Sequence, residues 1–586
     1  MSDIVTEVLI IGTGPAGLAC AALLSSYGIQ NMVVNRYRWL AKTPHAAITH
    51  QRTMEVLRDL GREVEDEVYL FAPHKQHMGQ VIFCESLAGE EFGRIQSWGT
   101  SPESMAEHLR LSATFMNDLP QTFLEPLLFK TACRKGTQAR MSTEYIGHTE
   151  DADGVTTTCL DRMTGKEITV RSKYLIGADG GNSKVAEVAG LPFEGKMGVG
   201  GSINILFKAD LSKHVAHRPS AQYWVMQPGA NAGDMSMSQV RMVRPWNEWL
   251  IVRGYDINEP ALKMDAAMAT TLARQLVGDP ALEIELISAN TWPVNNRYAT
   301  HMQTPRVFII GDAAHRHPPS QGLGSNTSIQ DAFNLAWKLA LAVKGNAGPS
   351  LLQTYSVERA PIAKQIVTRA NQSIGEFAPI FEALGVLGSV DPLVMKQNMD
   401  KRCDTGDAAE QQRAALRAAI AIKTSEFDCH RVEMNQRYVS TAVVADGAVW
   451  PAPNADRELQ YQATTTPGAR VPHAWVWDAA GAKHSTLDLC GKGGFSILTG
   501  IGGEAWEAAA KAVAIRFGIR IKVHVIGPRK PMQDHLGEWA GSRETRDSGA
   551  VLVRPDQHVG WRCKVIPANP QAELVRVLSG LLGVSA

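Results

Sequence analysis

The sequence carries no surplus of either charge: lysine plus arginine and aspartate plus glutamate both number 59, for a formal net charge of +0 at pH 7. No basic cluster breaks that balance, so nothing recruits nucleic acid or an anionic membrane surface. Long apolar runs are missing as well. None reaches the ~18 residues of a membrane span, and Asp3 and Glu7 stand where a secretion signal wants basic residues. The protein is therefore expected to be soluble and cytoplasmic. Its eight cysteines (Cys20, Cys84, Cys133, Cys159, Cys403, Cys429, Cys490, Cys563) are scattered, with no pair at metal or redox spacing. No metal site is expected, and dithiol exchange is disfavoured. At 586 residues the chain is too long for one core; ~100–200 residues per domain suggests two to four.

What the chain has is glycine at the ends of three apolar strands. Residues 306–326 read RVFIIGDAAHRHPPSQGLGSN. A short strand runs into Gly311 and Asp312, followed by Pro318 and Pro319, Gly322 and Gly324, and a helix start at Ser325 and Asn326. Glycines let backbone N–H groups approach a ligand, and the helix aims its positive end at the loop. A ring with a polyol tail suits such a loop: Asp312 accepts from the hydroxyls, and the backbone around Gly324, Ser325 and Asn326 faces the ring edge that becomes negative on reduction.

Near the N-terminus a buried-strand pattern at residues 7–11 leads into Gly12, Thr13, Gly14, Pro15, Ala16 and Gly17, then an apolar helix and a second strand at 31–35. This is a βαβ dinucleotide fingerprint in context: Gly12 makes the turn, Gly14 admits a pyrophosphate, and Gly17 lets helix and strand pack closely. Asn35 replaces the acid that usually binds ribose hydroxyls, so that bond lacks charge assistance. Arg36 beside it keeps open a pocket for the 2′-phosphate of NADP. Residues 174–183 place Asp179 and Gly180 after a third strand.

These three stretches in this order resemble the FAD-dependent aromatic-ring hydroxylases, single-component monooxygenases of the phenol-hydroxylase type. The resemblance covers nearly the whole chain. It implies an α/β and α+β architecture: a Rossmann-like FAD-binding domain (the p-hydroxybenzoate hydroxylase fold, 1–72, 118–195 and 295–375), an interleaved β-sheet substrate domain (73–117 and 196–294), a helical linker (376–430) and a thioredoxin-like C-terminal domain (431–586). In that family the ribityl chain is held by the residue at Asp312, and the carbonyl at Pro319 lies near the flavin ring. The loop at 44–52, with Gln51 and Arg52, borders ring and substrate. Gln121 bonds the cofactor's linker, and the Asp179 motif touches the pyrophosphate.

The implied cycle uses NADPH or NADH to reduce FAD, adds dioxygen to give a flavin hydroperoxide, and hydroxylates a phenol ortho to its hydroxyl. A homodimer or homotetramer is implied too. An unperturbed phenol titrates near ~10, so the enzyme must accept or relay its proton. His45, His50 and Asp118 are the candidates, since Ala47 occupies the family's histidine position. Asp118 also reads as a helix cap, and Arg52 as a solvated helix-start residue. Ala186 replaces a common family arginine. His315 and His317 read as structural.

The hydrophobic period shifts toward two between 201 and 294, with strands expected at 202–209, 222–227, 239–243 and 249–255. Such a sheet roofs a flavin ring. Trp224, Met226, Met242 and Trp292 are either its apolar wall or plain core. Arg241 and Arg253 are its notable charges; the resemblance leads one to expect more apolar residues at 236–239 and an aromatic at 253, so a more polar, carboxylated phenol is a candidate substrate. Two other readings stay open: a hydroxylase of polycyclic, polyketide-type phenols, and a flavin-binding protein that has lost hydroxylation. Residues 70–117 read as irregular. The C-terminal region shows strands at 474–478, 495–499, 521–526 and 550–554 and a helix at 505–517.

Overall fold

The computed structural model describes residues 4–229, 237–258, 264–428, 430–452 and 461–585. Ser236 and Cys429, on which sequence expectations touch, lie outside them. Strand Ile4–Ile11 pairs in parallel with Asn31–Val34 on one side and with Lys166–Gly177 on the other, and the end of Lys166–Gly177 pairs in parallel with Val307–Ile309. Every residue from Val8 to Ile11 is buried, the apolar run of a sheet covered on both faces. Helix Pro15–Ser26 returns the chain to the second strand and packs on helices Gln121–Arg134 and Leu323–Val343. Its small residues permit close approach, while Leu18, Leu23 and Leu24 are fully buried, each contributing roughly 1.5–3 kcal/mol over an exposed position. The register pairs Ile11 with both Val34 and Gly177, and Gly177 with Ile309. Four strand ends therefore finish level, and the segments after them emerge side by side, where parallel sheets bind ligands.

The second sheet has eight strands, in the order His315–Arg316, Glu285–Ala299, Phe193–Lys208, Glu248–Tyr255, Ser238–Arg244, Gln222–Val225, Val81–Cys84 and Glu91–Ile95. Strands Val81–Cys84 and Glu91–Ile95 and helix Pro102–Leu111 replace the irregular segment expected at 70–117. Strand Glu285–Ala299 was not expected either: it is mostly half-buried or exposed, so the chain shows no clean alternation there.

The register fixes which side chains share a face, because antiparallel partners point the same way and neighbours along a strand point oppositely. Gln222 pairs with Arg241, Trp224 with Gln239, Gln239 with Val252, Val252 with Asn204, and Trp292 with Ser202. These share one face. Tyr223, Val240, Met242, Trp249, Ile251, Ile203 and Ile205 lie on the other, packed with Ala269, Ala273 and Leu276 of helix Ala266–Val277.

In the C-terminal region, strands Phe495–Thr499 and Ile521–Val525 are parallel and joined by helix Ala505–Phe517; the antiparallel pair Ala550–Val553 and Val559–Cys563 and helix Pro570–Leu582 follow. Among the described residues no helix is long and apolar enough to cross a membrane, and no group of three or more His, Cys, Asp or Glu side chains is placed to hold a metal ion.

Candidate active site

The three glycine-bearing corners meet at the level ends of the strands. Gly12 has φ +112, and a Cβ there would sit 2.1 Å from the Ala178 carbonyl oxygen; the first corner thus lies directly against the third. A Cβ on Gly17 would come 2.1 Å from the Gly12 carbonyl oxygen, which holds the helix tight to its turn. Gly311, at φ +63, brings the second fingerprint to the first helix, since its Cβ would lie 3.0 Å from that of Ala16. Gly14 is different: a Cβ there would meet nothing within 4 Å. No side chain caps the helix that begins after it, so its first N–H groups are left for a ligand. Uncapped N–H groups, the helix's positive end and an open approach form the cradle a pyrophosphate requires.

Asp312 emerges beside this cradle. Its carboxylate is exposed along the cleft and makes no side-chain hydrogen bond among the described residues, while protein crowds it from the other directions. Burial pushes its pKa up, opposed by His315, Arg316 and His45. An exposed acceptor beside the cradle, with no protein donor to its side chain among the described residues, fits a polyol chain. Beyond it Gly322 caps helix Leu323–Val343 in the left-handed region, again without a side-chain cap, and the nearest atom to a Cβ on Gly324 would be His317 Cε1 at 3.8 Å. Pro319 is exposed and Ser325 half-buried on this approach. The residues present therefore fit FAD at three points: pyrophosphate, ribityl and ring edge.

The substrate side is built from two short strands. Ile48–Thr49 pairs with Asn117–Asp118, and the Ala47 and Ala46 carbonyls accept from the Leu119 and Gln121 N–H groups, each at 2.7 Å. Asn326 joins this pair to the second fingerprint. Its Oδ1 accepts from the His50 N–H at 2.9 Å, and its Nδ2 donates to the carbonyls of Ile48 at 2.8 Å and Gly322 at 2.6 Å.

Asp118 is 1% exposed. One carboxylate oxygen accepts from Arg241 Nη2 at 2.7 Å, and the other is buried without a partner. Burial pushes its pKa up, and Arg241 pulls against that shift. His45 sits at the cleft edge, with Nε2 2.6 Å from Thr43 Oγ1 and Nδ1 3.5 Å from Asn204 Nδ2 of the roofing sheet. Close packing lowers its pKa, with Asp312 opposing. His50 Nδ1 lies 2.5 Å from Glu433 Oε1, both groups buried, in a close contact outside aligned hydrogen-bond geometry.

Several expected cofactor contacts are spent locally. Asn35 Oδ1 accepts from the Tyr37 N–H at 3.4 Å and its Nδ2 donates to the Trp39 carbonyl at 3.3 Å, so it shapes the turn around the exposed Arg36. Asp179 accepts from Ser183 Oγ and the Val185 N–H, which makes it the brace of its own turn. Gln121 Nε2 donates to Glu125 at 2.6 Å.

Three expectations need correction. Gln51, 1% exposed, donates to the His108 and Thr114 carbonyls, and Arg52 donates to Glu55, Gln557 and the Asp556 carbonyl. Gln51 is thus committed to the segment at 108–114 and Arg52 to the C-terminal region. Arg253 pairs with Ser238 and Ile203, three positions from Leu250, the partner of Arg241. It therefore lies on the opposite face of the sheet from Arg241, and Met242 lies there too, in the core under helix Ala266–Val277. Of the residues expected on an apolar wall, Trp224 meets Phe377 with ring centroids 4.5 Å apart and planes tilted, and Trp292 donates to Asn204 Oδ1 at 3.0 Å. Met226 packs with Ile48 and Met116.

Sequence reasoning missed Arg316. Its Nε donates to the Asp312 carbonyl at 3.0 Å, and it is the nearest group to a Cβ on Gly181, so a cation bridges the second and third motifs. Ala186 removes a cation from the third motif; only the fold reveals another arriving from the second.

Residues 5–370 match the FAD binding domain family, and residues 464–585 match the aromatic-ring hydroxylase C-terminal family. The chain is 51% identical to 2,4-dichlorophenol 6-monooxygenase of Cupriavidus pinatubonensis, covering 99% of this chain and 96% of that protein. It is 49% identical to phenol 2-monooxygenase of a Pseudomonas strain, covering 98% and 92%. Among solved structures, the flavin-dependent monooxygenase PieE with FAD and substrate superposes with a TM-score of 0.95 at 40% identity, covering all of both chains. On the converging motifs, the open cradle and these likenesses together, the chain belongs to the FAD-dependent aromatic-ring hydroxylases of the phenol-hydroxylase type, and is a monooxygenase.

Proposed function

We propose that this monooxygenase hydroxylates a small substituted phenol, chlorophenol-like, ortho to its hydroxyl, with NAD(P)H and dioxygen as co-substrates. The observation that carries the reading is the buried Asp118, paired with the half-buried Arg241 through one carboxylate oxygen and left unpartnered at the other. A buried acceptor without a donor costs about 1–3 kcal/mol, and a phenolic O–H supplies that donor. Asp118 accepts the phenol's hydrogen bond and raises electron density at the ring carbon beside the hydroxyl, and Arg241 favours the charged carboxylate as burial works against it. Asp118 takes the place of the base that Ala47 does not provide.

FAD, when bound, supplies what no side chain does: it accepts hydride from the nicotinamide and activates dioxygen. Gly12, Gly14 and the helix N-terminus would hold its pyrophosphate, Asp312 its ribityl chain, and the Gly322–Asn326 backbone its ring edge. Trp224, Trp292, Phe377 and Ile48 exclude water from the reacting ring. A carboxylated substrate loses its motive, because Arg253 lies across the sheet. A cytoplasmic location and a homo-oligomeric state belong to the same proposal, checked by fractionation and by light scattering.

The test is product analysis with FAD-loaded enzyme on halogenated, carboxylated and aryl phenols. Catechol formed in proportion to NAD(P)H consumed supports the reading. Consumption that yields only hydrogen peroxide on every phenol refutes it.

A further inference from the structure

Helix Gln51–Leu60 carries Arg52, Glu55, Arg58 and Asp59, yet all ten of its residues are buried. A helix with this charge normally turns one face to water. Here the C-terminal region covers that face and answers every charge on it. Arg52 donates to Gln557 Oε1 at 2.7 Å and to the Asp556 carbonyl at 2.8 Å. Arg58 donates twice to Asp488, at 2.7 and 2.8 Å. Asp59 accepts the Lys492 N–H at 2.9 Å. Glu55 receives the Arg470 guanidinium through Nε at 2.8 Å and through Nη2 in a second contact.

The Glu55–Arg470 pair differs from the others because it also holds the substrate side. Arg470 Nη2 donates to the Leu111 carbonyl at 3.1 Å, and Ser112 Oγ donates to Glu55 Oε1 at 2.6 Å. Ser112 Oγ lies 3.0 Å from Thr114 Oγ1, which donates to the Gln51 carbonyl at 3.1 Å. Asp118 follows Thr114 by four residues. On the other side the helix continues directly from the loop whose Ile48 pairs with Asp118. Both strands that place Asp118 are thus anchored, a few residues away, on one ion pair reaching out of the C-terminal region.

We propose that Arg470 is a positioning residue for hydroxylation: through Glu55 it sets the placement of Asp118 and loop 44–50, so the C-terminal region governs how much oxidised nicotinamide ends as product. The inference rests on the phenol-hydroxylase reading. Its physical basis is that a buried ion pair adds little net stability over apolar packing, whereas a two-pronged guanidinium–carboxylate contact fixes orientation. A misplacement of about 1 Å at a reacting centre costs on the order of 100-fold in rate.

The experiment compares full-length, FAD-loaded wild type with Arg470→Met, Arg470→Lys and a control, Arg562→Met. Arg562 pairs with Asp446 and Glu544 inside the C-terminal region and does not touch the helix. With 2,4-dichlorophenol as probe, the readouts are product per NAD(P)H consumed, KM and kcat separately, FAD content and Tm. Arg470→Met is expected to keep its FAD and its NAD(P)H consumption while product per NAD(P)H falls about 10-fold and KM for the phenol rises, a fraction of the geometric penalty above. Arg470→Lys recovers part of both, and Arg562→Met loses comparable Tm with product yield unchanged. Unchanged yield in Arg470→Met, or an equal loss in Arg562→Met, overturns the inference. Should Arg470→Met not fold, Arg470→Lys carries the same comparison, and a lysine variant that also fails to fold assigns Arg470 a purely structural role. A wild type that makes no product from any phenol sinks the phenol reading itself, a result distinct from all of these.

Discussion

The cofactor cleft and the seam between helix Gln51–Leu60 and the C-terminal region are both crowded junctions, built from opposite materials. The cleft is made of backbone: Gly12 under the Ala178 carbonyl, an uncapped helix after Gly14, Gly311 against Ala16. The seam is made of long side chains in ion pairs, Arg470 with Glu55 and Arg58 with Asp488, and a second buried set of Arg554, Glu358 and Lys338 lies beside it. The nearby Glu358 carboxylate accepts from Arg554 and Lys338, and Arg554 also pairs with Asp556. A backbone junction leaves room for a ligand and depends on residues that lack a side chain. An ionic junction leaves no room and depends on residues that have a long one. The first therefore fails when an atom is added, the second when an atom is removed.

The largest effect expected on this contrast is at Gly12. A Gly12→Val side chain would meet the Ala178 carbonyl at 2.1 Å from a backbone conformation that disfavours any Cβ. The purified variant is expected to be colourless and to gain no visible absorbance with FAD. Gly14→Ala sharpens the point, since its Cβ meets no protein atom. It should fold with wild-type Tm and bind FAD more weakly, a separation read by melting and by FAD titration. Equal loss of Tm in both variants would show that the two glycines serve only the fold.

Next comes Asp118, where an ionic contact sits inside the cleft. Asp118→Asn keeps the shape and weakens the acceptor, so FAD absorbance should persist while hydroxylation falls by about 100-fold, the lower range for a lost acid–base group. Asp118→Ala additionally leaves the half-buried Arg241 without its carboxylate, which should lower Tm further. Wild-type turnover in Asp118→Asn would remove Asp118 from the chemistry.

The same division explains what could be read from the chain alone. The cradle was legible because a glycine after an apolar strand announces itself within six residues. The strand ends and the Asp312 position followed, whereas the helix begins at Leu323, ahead of the start expected at Ser325 and Asn326. The roles first assigned to Gln51 and Arg52 failed because the partners that claim them, at 108, 114, 556 and 557, are distant in the chain. Arg316 escaped notice for the same reason. Strand Glu285–Ala299 lay hidden because its burial lacks a period of two. The side of the sheet on which Arg253 stands was not legible, since it depends on a pairing register that no local pattern encodes.

The seam makes its own prediction with pH. Burial raises the Asp59 pKa to about 7, opposed by the Lys492 N–H and, more weakly, by Arg52, with Asp488 adding to the rise. A carboxyl whose folded pKa lies above its unfolded value holds a proton that the unfolded chain gives up. Its contribution to stability is present at low pH and is lost as pH climbs through the interval from 3.8 to about 7. Between pH 6 and 8 the loss should be on the order of 1 kcal/mol. Other groups titrate in this range, so the measurement is the difference: Asp59→Asn should show a flatter Tm between pH 6 and 8 than wild type. Glu55 behaves oppositely. Burial would raise its pKa, but Arg470 holds it at about 2, and its share of stability fades only as pH falls toward that value. Parallel pH profiles in wild type and Asp59→Asn would show that Asp59 stays ionised at the seam.

The smallest effect should come from Arg253, and its smallness is informative. Arg241 and Arg253 are neighbours on adjacent strands and look equivalent as charges near a phenol. The register separates them: Arg241 pairs with Leu250 and Gln222, on the face that carries Trp224 and Asn204, whereas Arg253 pairs with Ser238 and Ile203, on the face under helix Ala266–Val277. A cation that faces the substrate discriminates a carboxylated from an uncharged ring by about the energy of a charge-assisted hydrogen bond, 1.5–3 kcal/mol, or roughly 10- to 100-fold. A cation across the sheet moves both substrates together. Arg253→Ala should therefore leave the ratio of kcat/KM for a carboxylated over an uncharged chlorophenol within about twofold of wild type, far inside that discrimination range, even if packing changes lower both values. A ratio that collapses by tenfold or more would put Arg253 in contact with the substrate, and would require the strand pairing around Ser238 to differ from the register described.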